Sequence, residues 1–84
     1  MQKNCWRIKC NHTPETLDRI LAPFRKRGMA LESVNYKRDS DFLATCLIEF
    51  EEDKENSGRI LKNLMRTYDV QDIEVVSEAK VAIS

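Results

Sequence analysis

A change of hydrophobic period near the amino end is the feature that most constrains how this chain can fold. From Asn4 to Asn11 apolar and polar residues alternate, with Trp6, Ile8 and Cys10 on one face. Alternation of this length is typical of a half-buried strand. The next apolar residues recur at helical spacing: Leu17, Ile20, Leu21 and Phe24. A strand is therefore followed by a helix whose apolar stripe must pack on a sheet.

Both ends of this first helix carry boundary signals. Thr13-Pro14-Glu15 offers a hydroxyl cap, a proline at the first helical position and a carboxylate near the positive end of the dipole. Gly28 follows a basic last turn and favours a left-handed C-terminal residue. Pro23 removes one main-chain donor, so we expect a bend or an early loosening of the last turn there.

The rest of the chain continues the alternation of strand and helix patterns. The predicted elements are a strand over Met29–Lys37, a polar turn over Arg38–Asp41, a strand over Phe42–Phe50, a polar break over Glu51–Asp53, a helix over Lys54–Thr67 and a strand over Val70–Ser77. This order, β-α-β-β-α-β, is that of the ferredoxin-like unit.

The predicted fold class is therefore α+β, a ferredoxin-like βαββαβ domain with two helices on one face of a four-stranded antiparallel sheet. Right-handed crossovers place the first and third strands in the centre and the second and fourth at the edges. We expect one domain over residues 1–84, in which residues 78–84 fray or form a short extension.

Composition excludes several classes of protein. The 14 basic and 14 acidic side chains give no net charge, which disfavours nucleic-acid binding. No apolar run is long enough to span a membrane and no signal peptide follows Met1, so we expect a cytoplasmic protein. Cys5, Cys10 and Cys46 form no paired motif, and buried reduced thiols are expected.

Catalytic and metal-binding interpretations of the sequence are weak. His12 beside Cys10 lacks a third ligand, and the acidic cluster of Glu51–Asp53 with Glu55 suits the start of a helix better than a calcium loop. Arg25–Arg27 with Lys37–Arg38 offers a basic patch, which keeps an RNA-binding domain open as an alternative. An enzyme acting alone is not expected.

Two candidate surfaces remain, the loop after the first strand and the second strand as an unpaired edge. The loop residues are Asn11, His12, Thr13, Pro14 and Glu15. The edge residues are Leu31, Glu32, Ser33, Val34, Asn35 and Tyr36, with Val34 and Tyr36 on one face and Leu31, Ser33 and Asn35 on the other. Such an edge can pair with a second copy of the chain. The alternative is an ordinary edge strand protected by Glu32, Lys37 and Arg38.

The segment T-P-E-T-L-D-R-I-L-A-P-F-R-K-R-G-M-A-L-E-S-V-N, with Tyr68-Asp69-Val70 before the last strand, resembles the ACT regulatory domains. It is most similar to the short-form small subunit of acetolactate synthase (acetohydroxyacid synthase). The resemblance implies a non-catalytic activating subunit in the biosynthesis of valine, leucine and isoleucine. It implies a homodimer formed through the second strand and first helix, and a large catalytic subunit that holds thiamine diphosphate, magnesium and flavin.

The resemblance also implies that a branched-chain amino acid binds near the loop at Asn11–Glu15. His12 and Glu15 stand where feedback-sensitive members have Asn and Gly. Pro14 offers no amide and the Glu15 carboxylate repels that of an effector, so weak or absent valine binding is expected. A stand-alone ACT-type amino-acid sensor with another target remains the alternative.

Overall fold

The computed structural model describes residues 2–78. Its elements, in chain order, are β1 Gln2–Asn11, α1 Thr16–Lys26, β2 Leu31–Arg38, β3 Leu43–Glu52, α2 Lys54–Met65 and β4 Val70–Glu78. The four strands form one antiparallel sheet in the order β2-β3-β1-β4. The predicted α+β ferredoxin-like fold is confirmed, with β1 and β3 central and β2 and β4 at the edges.

The core lies between the sheet and the helices, on the face that alternation predicted. Trp6, Ile8 and Cys10 of β1 are buried there. Three aromatic rings form its centre, because Phe50 lies edge-on to both Trp6 and Phe24 at centroid distances of 4.9 and 5.1 Å. The remaining buried apolar residues are Ile20, Ala44, Cys46, Ile48, Ile60 and Leu64.

The start of α1 differs from the prediction. Pro14 and Glu15 form a turn, and the helix begins at Thr16. The hydroxyl of Thr13 accepts a hydrogen bond from the Glu15 amide at 3.3 Å, so it orders the turn that precedes the helix. Pro14 therefore lies two residues before the first helical position.

The end of α1 follows the glycine signal. Gly28 has φ 66°, its amide donates to the Arg25 carbonyl, and the Met29 amide donates to the Phe24 carbonyl. This pair of bonds is a Schellman motif, which satisfies the last carbonyl groups of the helix. The expected early loosening at Pro23 is not found, since the helix continues to Lys26.

The second half of the chain matches the prediction within about two residues at each boundary, the usual disagreement at element ends. Asp53 caps α2 by accepting a hydrogen bond from the Asn56 amide at 2.8 Å, whereas Glu51 and Glu52 belong to β3. Within residues 2–78 no helix is long and apolar enough to cross a membrane. The expectation for the tail concerned residues 78–84. Glu78 is the last residue of β4, and residues 79–84 lie outside the described part of the chain.

Candidate functional site

The β1–α1 loop, residues Asn11–Glu15, was the predicted ligand-binding loop. Its amides already have partners within the chain. The Asn11 amide donates to the Asp69 carbonyl and the His12 amide to the Phe42 carbonyl, both at 2.8 Å. The Thr13 amide donates to the Thr16 hydroxyl at 3.0 Å, and the Glu15 amide donates to the Thr13 hydroxyl at 3.3 Å. Pro14 has no amide hydrogen. The loop therefore offers an incoming carboxylate no free main-chain donor of its own.

The side chain of Thr16 fills the interior of this loop, a role that sequence reasoning missed. Thr16 is fully buried, and its hydroxyl donates to the Asn11 carbonyl at 2.7 Å while it accepts the Thr13 amide. The two threonine hydroxyls lie 2.8 Å apart. The three-residue spacing of Thr13 and Thr16 was the available signal, because residues that far apart at a helix start can bond to each other. An oxygen of the protein thus occupies the position where an anion would accept from the loop.

His12 joins the loop to the edge strand. Its Nδ1 lies 2.9 Å from the hydroxyl of Tyr36, and the two rings are 5.8 Å apart. Burial, and secondarily the nearby Cys10 thiol, raise the pKa of Tyr36 above its ordinary value, so the phenol stays protonated at neutral pH. Two residues predicted for separate surfaces are therefore in contact. Pro14 and Glu15 are exposed on the outside of the same loop.

Within the described part of the chain, the edge strand β2 is paired along one side only, to β3. A register shift between Leu31 and Ser33 inserts Glu32 as an extra residue. Leu31 consequently lies opposite Phe50 and packs on the core, on the same face as Val34 and Tyr36. The prediction that Leu31 shares a face with Ser33 and Asn35 is wrong, because strict alternation does not hold across a bulge.

The remaining β2 residues are exposed or half-buried. Glu32 accepts a hydrogen bond from Lys3 Nζ at 2.9 Å, and Ser33 donates to Glu49 at 3.0 Å. Asn35 lies opposite Leu47 on the open face of the sheet. Val34 is 39% exposed although it faces the helix side. Beyond the bulge, the strand is regular from Ser33 to Arg38.

The cysteine thiols differ in accessibility. Cys10 and Cys46 are fully buried, and burial raises their pKa to about 11 and about 12. Cys5 is half-buried on the open face, and burial raises its pKa as well. All three thiols are therefore protonated at neutral pH and poorly nucleophilic.

We expect a disulfide reagent such as DTNB to modify one thiol, Cys5, in the folded protein at about pH 8. Cys10 and Cys46 should react only after unfolding in urea, because neither side chain is accessible. The absorbance of the released thiolate counts the modified groups. A Cys5→Ser variant should show no fast phase, and rapid modification of a second thiol would contradict the placement of Cys10 and Cys46.

The basic cluster of the sequence is dispersed in the fold, and the acidic cluster forms no metal site among the described residues. β2 separates Arg25–Arg27, at the end of α1, from Lys37–Arg38, so these residues form no common patch. In residues 2–78 no group of three or more His, Cys, Asp or Glu side chains is arranged to hold a metal ion.

An ion pair between Arg19 and Asp69 was not predicted. Asp69 is 1% exposed and its Oδ2 accepts from Arg19 Nη1 at 2.6 Å. The main-chain carbonyl of Asp69 also accepts the Asn11 amide, so this residue joins α1, β1 and the start of β4. The partners are 50 residues apart in the chain, and no local pattern links them.

No protein-family model and no curated protein sequence matches this chain. The fold is similar to the solution structure of the C-terminal domain of the MgtC protein from Mycobacterium tuberculosis, with a TM-score of 0.67. That similarity covers 88% of this chain and 84% of the other, at 15% sequence identity. At this identity the comparison shows a shared fold and nothing about activity.

These comparisons overturn the resemblance inferred from the sequence. The identification as an ACT domain and as the small subunit of acetolactate synthase is wrong, since the structural match is to an MgtC domain and no family or curated match supports it. The residues that carried the resemblance have structural roles here: Thr13 orders the turn before α1, Gly28 ends α1, and Asp69 joins β1 to the start of β4. The chain is therefore placed by its fold alone, as a ferredoxin-like α+β domain.

Proposed function

We propose that this chain is a non-catalytic regulatory or binding domain that associates with a second copy of itself through the free edge of β2. One observation carries the proposal: among residues 2–78, β2 pairs with β3 only, and none of its residues is buried. In an antiparallel sheet, every second residue of an edge strand directs its N–H and C=O groups away from its neighbour. A second edge strand can satisfy these groups.

The charge pattern along β2 favours pairing with itself. In an antiparallel pair centred on Asn35, Val34 of one copy lies opposite Tyr36 of the other, and the bulged Glu32, which also pairs with Lys3, lies near Arg38. This register pairs apolar side chains beside the centre and brings opposite charges near each other at both ends. A two-fold axis repeats each contact, so the strand is complementary to itself.

The other edge of the sheet is less suited to pairing. β4 has two irregularities in its register with β1, between Cys5 and Trp6 and between Lys9 and Cys10. Irregular pairing twists an edge and hinders the addition of a further strand. β2 has one, at Glu32, which leaves the segment from Ser33 to Arg38 regular.

The chemistry of the loop supports a non-catalytic role. The Cys10 thiol has its pKa raised to about 11, and the Nδ1 atom of His12 is engaged with Tyr36. The loop amides are hydrogen-bonded within the chain. These groups hold the loop in place, and His12 joins it to Tyr36 near the end of β2.

Sedimentation equilibrium tests the proposal. Between roughly 10 µM and roughly 1 mM the chain should shift from monomer towards dimer, since association follows mass action. Val34→Lys should raise the dimer dissociation constant by about tenfold or more, because it places a charge beside the paired edge. The matched control is Val75→Lys, an exposed valine on the helix-facing side of the opposite edge, which should leave association unchanged.

A charge exchange tests the register. Glu32→Lys alone should weaken association, because it sets a positive charge near Arg38 of the other copy. Adding Arg38→Glu should restore it, since the opposite charges are then exchanged. A wild-type chain that stays monomeric up to about 1 mM, or equal effects of Val34→Lys and Val75→Lys, would refute pairing through β2.

A further inference from the structure

A groove between the two helices, on their outer surface, has no part in the function proposed above. Its volume is about 360 Å³, near the lower end of the range for small-molecule sites. The lining residues are Arg19, Ala22, Pro23 and Lys26 from α1, with Asn63 and Thr67 from α2 and the turn after it. No carboxylate is among them.

We propose that this groove binds a small, hydroxylated phosphate monoester. The lining brings together two cations, Arg19 and Lys26, and one further hydrogen-bond donor, the side-chain amide of Asn63. The hydroxyl of Thr67 already donates to the Asn63 carbonyl at 3.1 Å. Cationic and neutral donors without an acid are the set that coordinates phosphate oxygens.

The distribution of charge in the fold supports an anionic ligand on this surface. Residues 13–30 and 53–69, which hold both helices, carry eight basic and five acidic side chains. Residues 2–12, 31–52 and 70–78, which hold the strands, carry five basic and nine acidic side chains. The zero net charge of the chain therefore conceals a basic helix layer over an acidic sheet, and an anion is attracted to the helix layer.

The buried carboxylate of Asp69 holds Arg19 in position for such a ligand. It accepts from one guanidinium nitrogen, Nη1, at 2.6 Å, while the Arg19 side chain remains 47% exposed. A guanidinium has five N–H donors, so most of them stay available at the groove. Because the ion pair already fixes the side chain, binding costs less conformational entropy than it would for a free arginine.

Lys26 supplies the second cation, two helical turns beyond Arg19 and about 10 Å further along the axis. None of the ion pairs among the described residues involves Lys26. Its long side chain can therefore turn towards a ligand held at Arg19. This separation and the groove volume fit a phosphate group with a body of a few carbon atoms.

Pro23 leaves a main-chain carbonyl of α1 without its helical donor, and this is why we expect the ligand to carry a hydroxyl group. A proline within a helix cannot donate to the carbonyl four residues earlier, which here is that of Arg19. Both residues line the groove. A ligand hydroxyl can donate to this carbonyl oxygen while its phosphate accepts from the cations.

Titration of the labelled full chain with glycerol 3-phosphate, followed by amide NMR, tests the proposal. Sodium chloride at matched ionic strength serves as the reference. Saturable shifts should localise to residues 19–26 and 63–67. Lys26→Gln should weaken binding by about tenfold, the effect of one charge-assisted hydrogen bond. The matched control, Arg25→Gln, removes the neighbouring cation, which does not line the groove, and should change affinity less than about twofold.

Two results would overturn this assignment. One is shifts that spread over all the basic residues and vanish with added chloride, which indicate general electrostatic attraction. The other is equal weakening by Lys26→Gln and Arg25→Gln. Because the groove lies on the helices and the proposed association uses a sheet edge, a Val34→Lys chain should bind the phosphate ester as the wild type does. Failure of one proposal therefore leaves the other intact.

Discussion

Replacing Phe50 with alanine is expected to lower the free energy of unfolding by about 3–5 kcal/mol. Phe50 is fully buried, and its ring contacts both Trp6 and Phe24 in the centre of the core. A chain of 84 residues has a total stability of roughly 4–12 kcal/mol, so the variant should lose a large part of it. Urea unfolding followed by fluorescence measures the change, because Trp6 is the only tryptophan and is buried.

Phe42→Ala is the matched control for this experiment. Phe42 lies just before β3, the strand that holds Phe50, and is 79% exposed. Its removal should change stability by less than about 0.5 kcal/mol. Both variants need measurement at one protein concentration, since association stabilises the folded state. A similar cost at the two positions would contradict the placement of Phe50 in the core.

Replacing Arg19 with methionine is expected to cost about 2–4 kcal/mol. The variant leaves the carboxylate of Asp69 buried without its cation, and an unpaired buried charge is strongly unfavourable. We expect less than the full cost of breaking a buried pair, because Arg19 itself is half-exposed. Urea unfolding at low salt measures the loss.

The exposed pair of Arg59 and Glu55 provides the comparison. These residues are one helical turn apart on α2, with Arg59 Nη2 3.0 Å from Glu55 Oε2. Arg59→Met should cost less than about 0.5 kcal/mol, as is usual for exposed helical pairs. Equal effects of the two methionine variants would show that the Asp69 carboxylate is not dependent on Arg19.

The arrangement of strands and helices was predictable because each element carries its own period. The alternation of Trp6, Ile8 and Cys10 and the helical spacing of Ile20 and Phe24 both describe buried faces, and all five residues are buried. The end of α1 was also predictable from one residue, Gly28, since glycine adopts a positive φ at little steric cost.

The candidate surfaces were predictable in position and less so in detail. β2 is an edge strand as expected, since right-handed crossovers leave it outside β3. The alternating pattern predicted the wrong face for Leu31, because Glu32 forms a bulge that is set by the pairing of β2 with β3. The occupation of the loop amides could not be read from the residue types of the loop, because their partners include Thr16, Phe42 and Asp69, which lie outside it.

By itself, the sequence determined the element order, the fold class and, apart from Leu31 beside the bulge in β2, the buried face of the elements, because hydrophobic period and boundary residues act over a few residues. Only the tertiary structure decided that Asp69 pairs with Arg19, that His12 contacts Tyr36 and that Lys26 shares a groove with Asn63. These contacts join residues 24 to 50 positions apart in the chain, and their formation depends on how the helices pack over the sheet. The neutral composition likewise gave no sign of a basic helix layer, since folding alone assigns each charge to a surface.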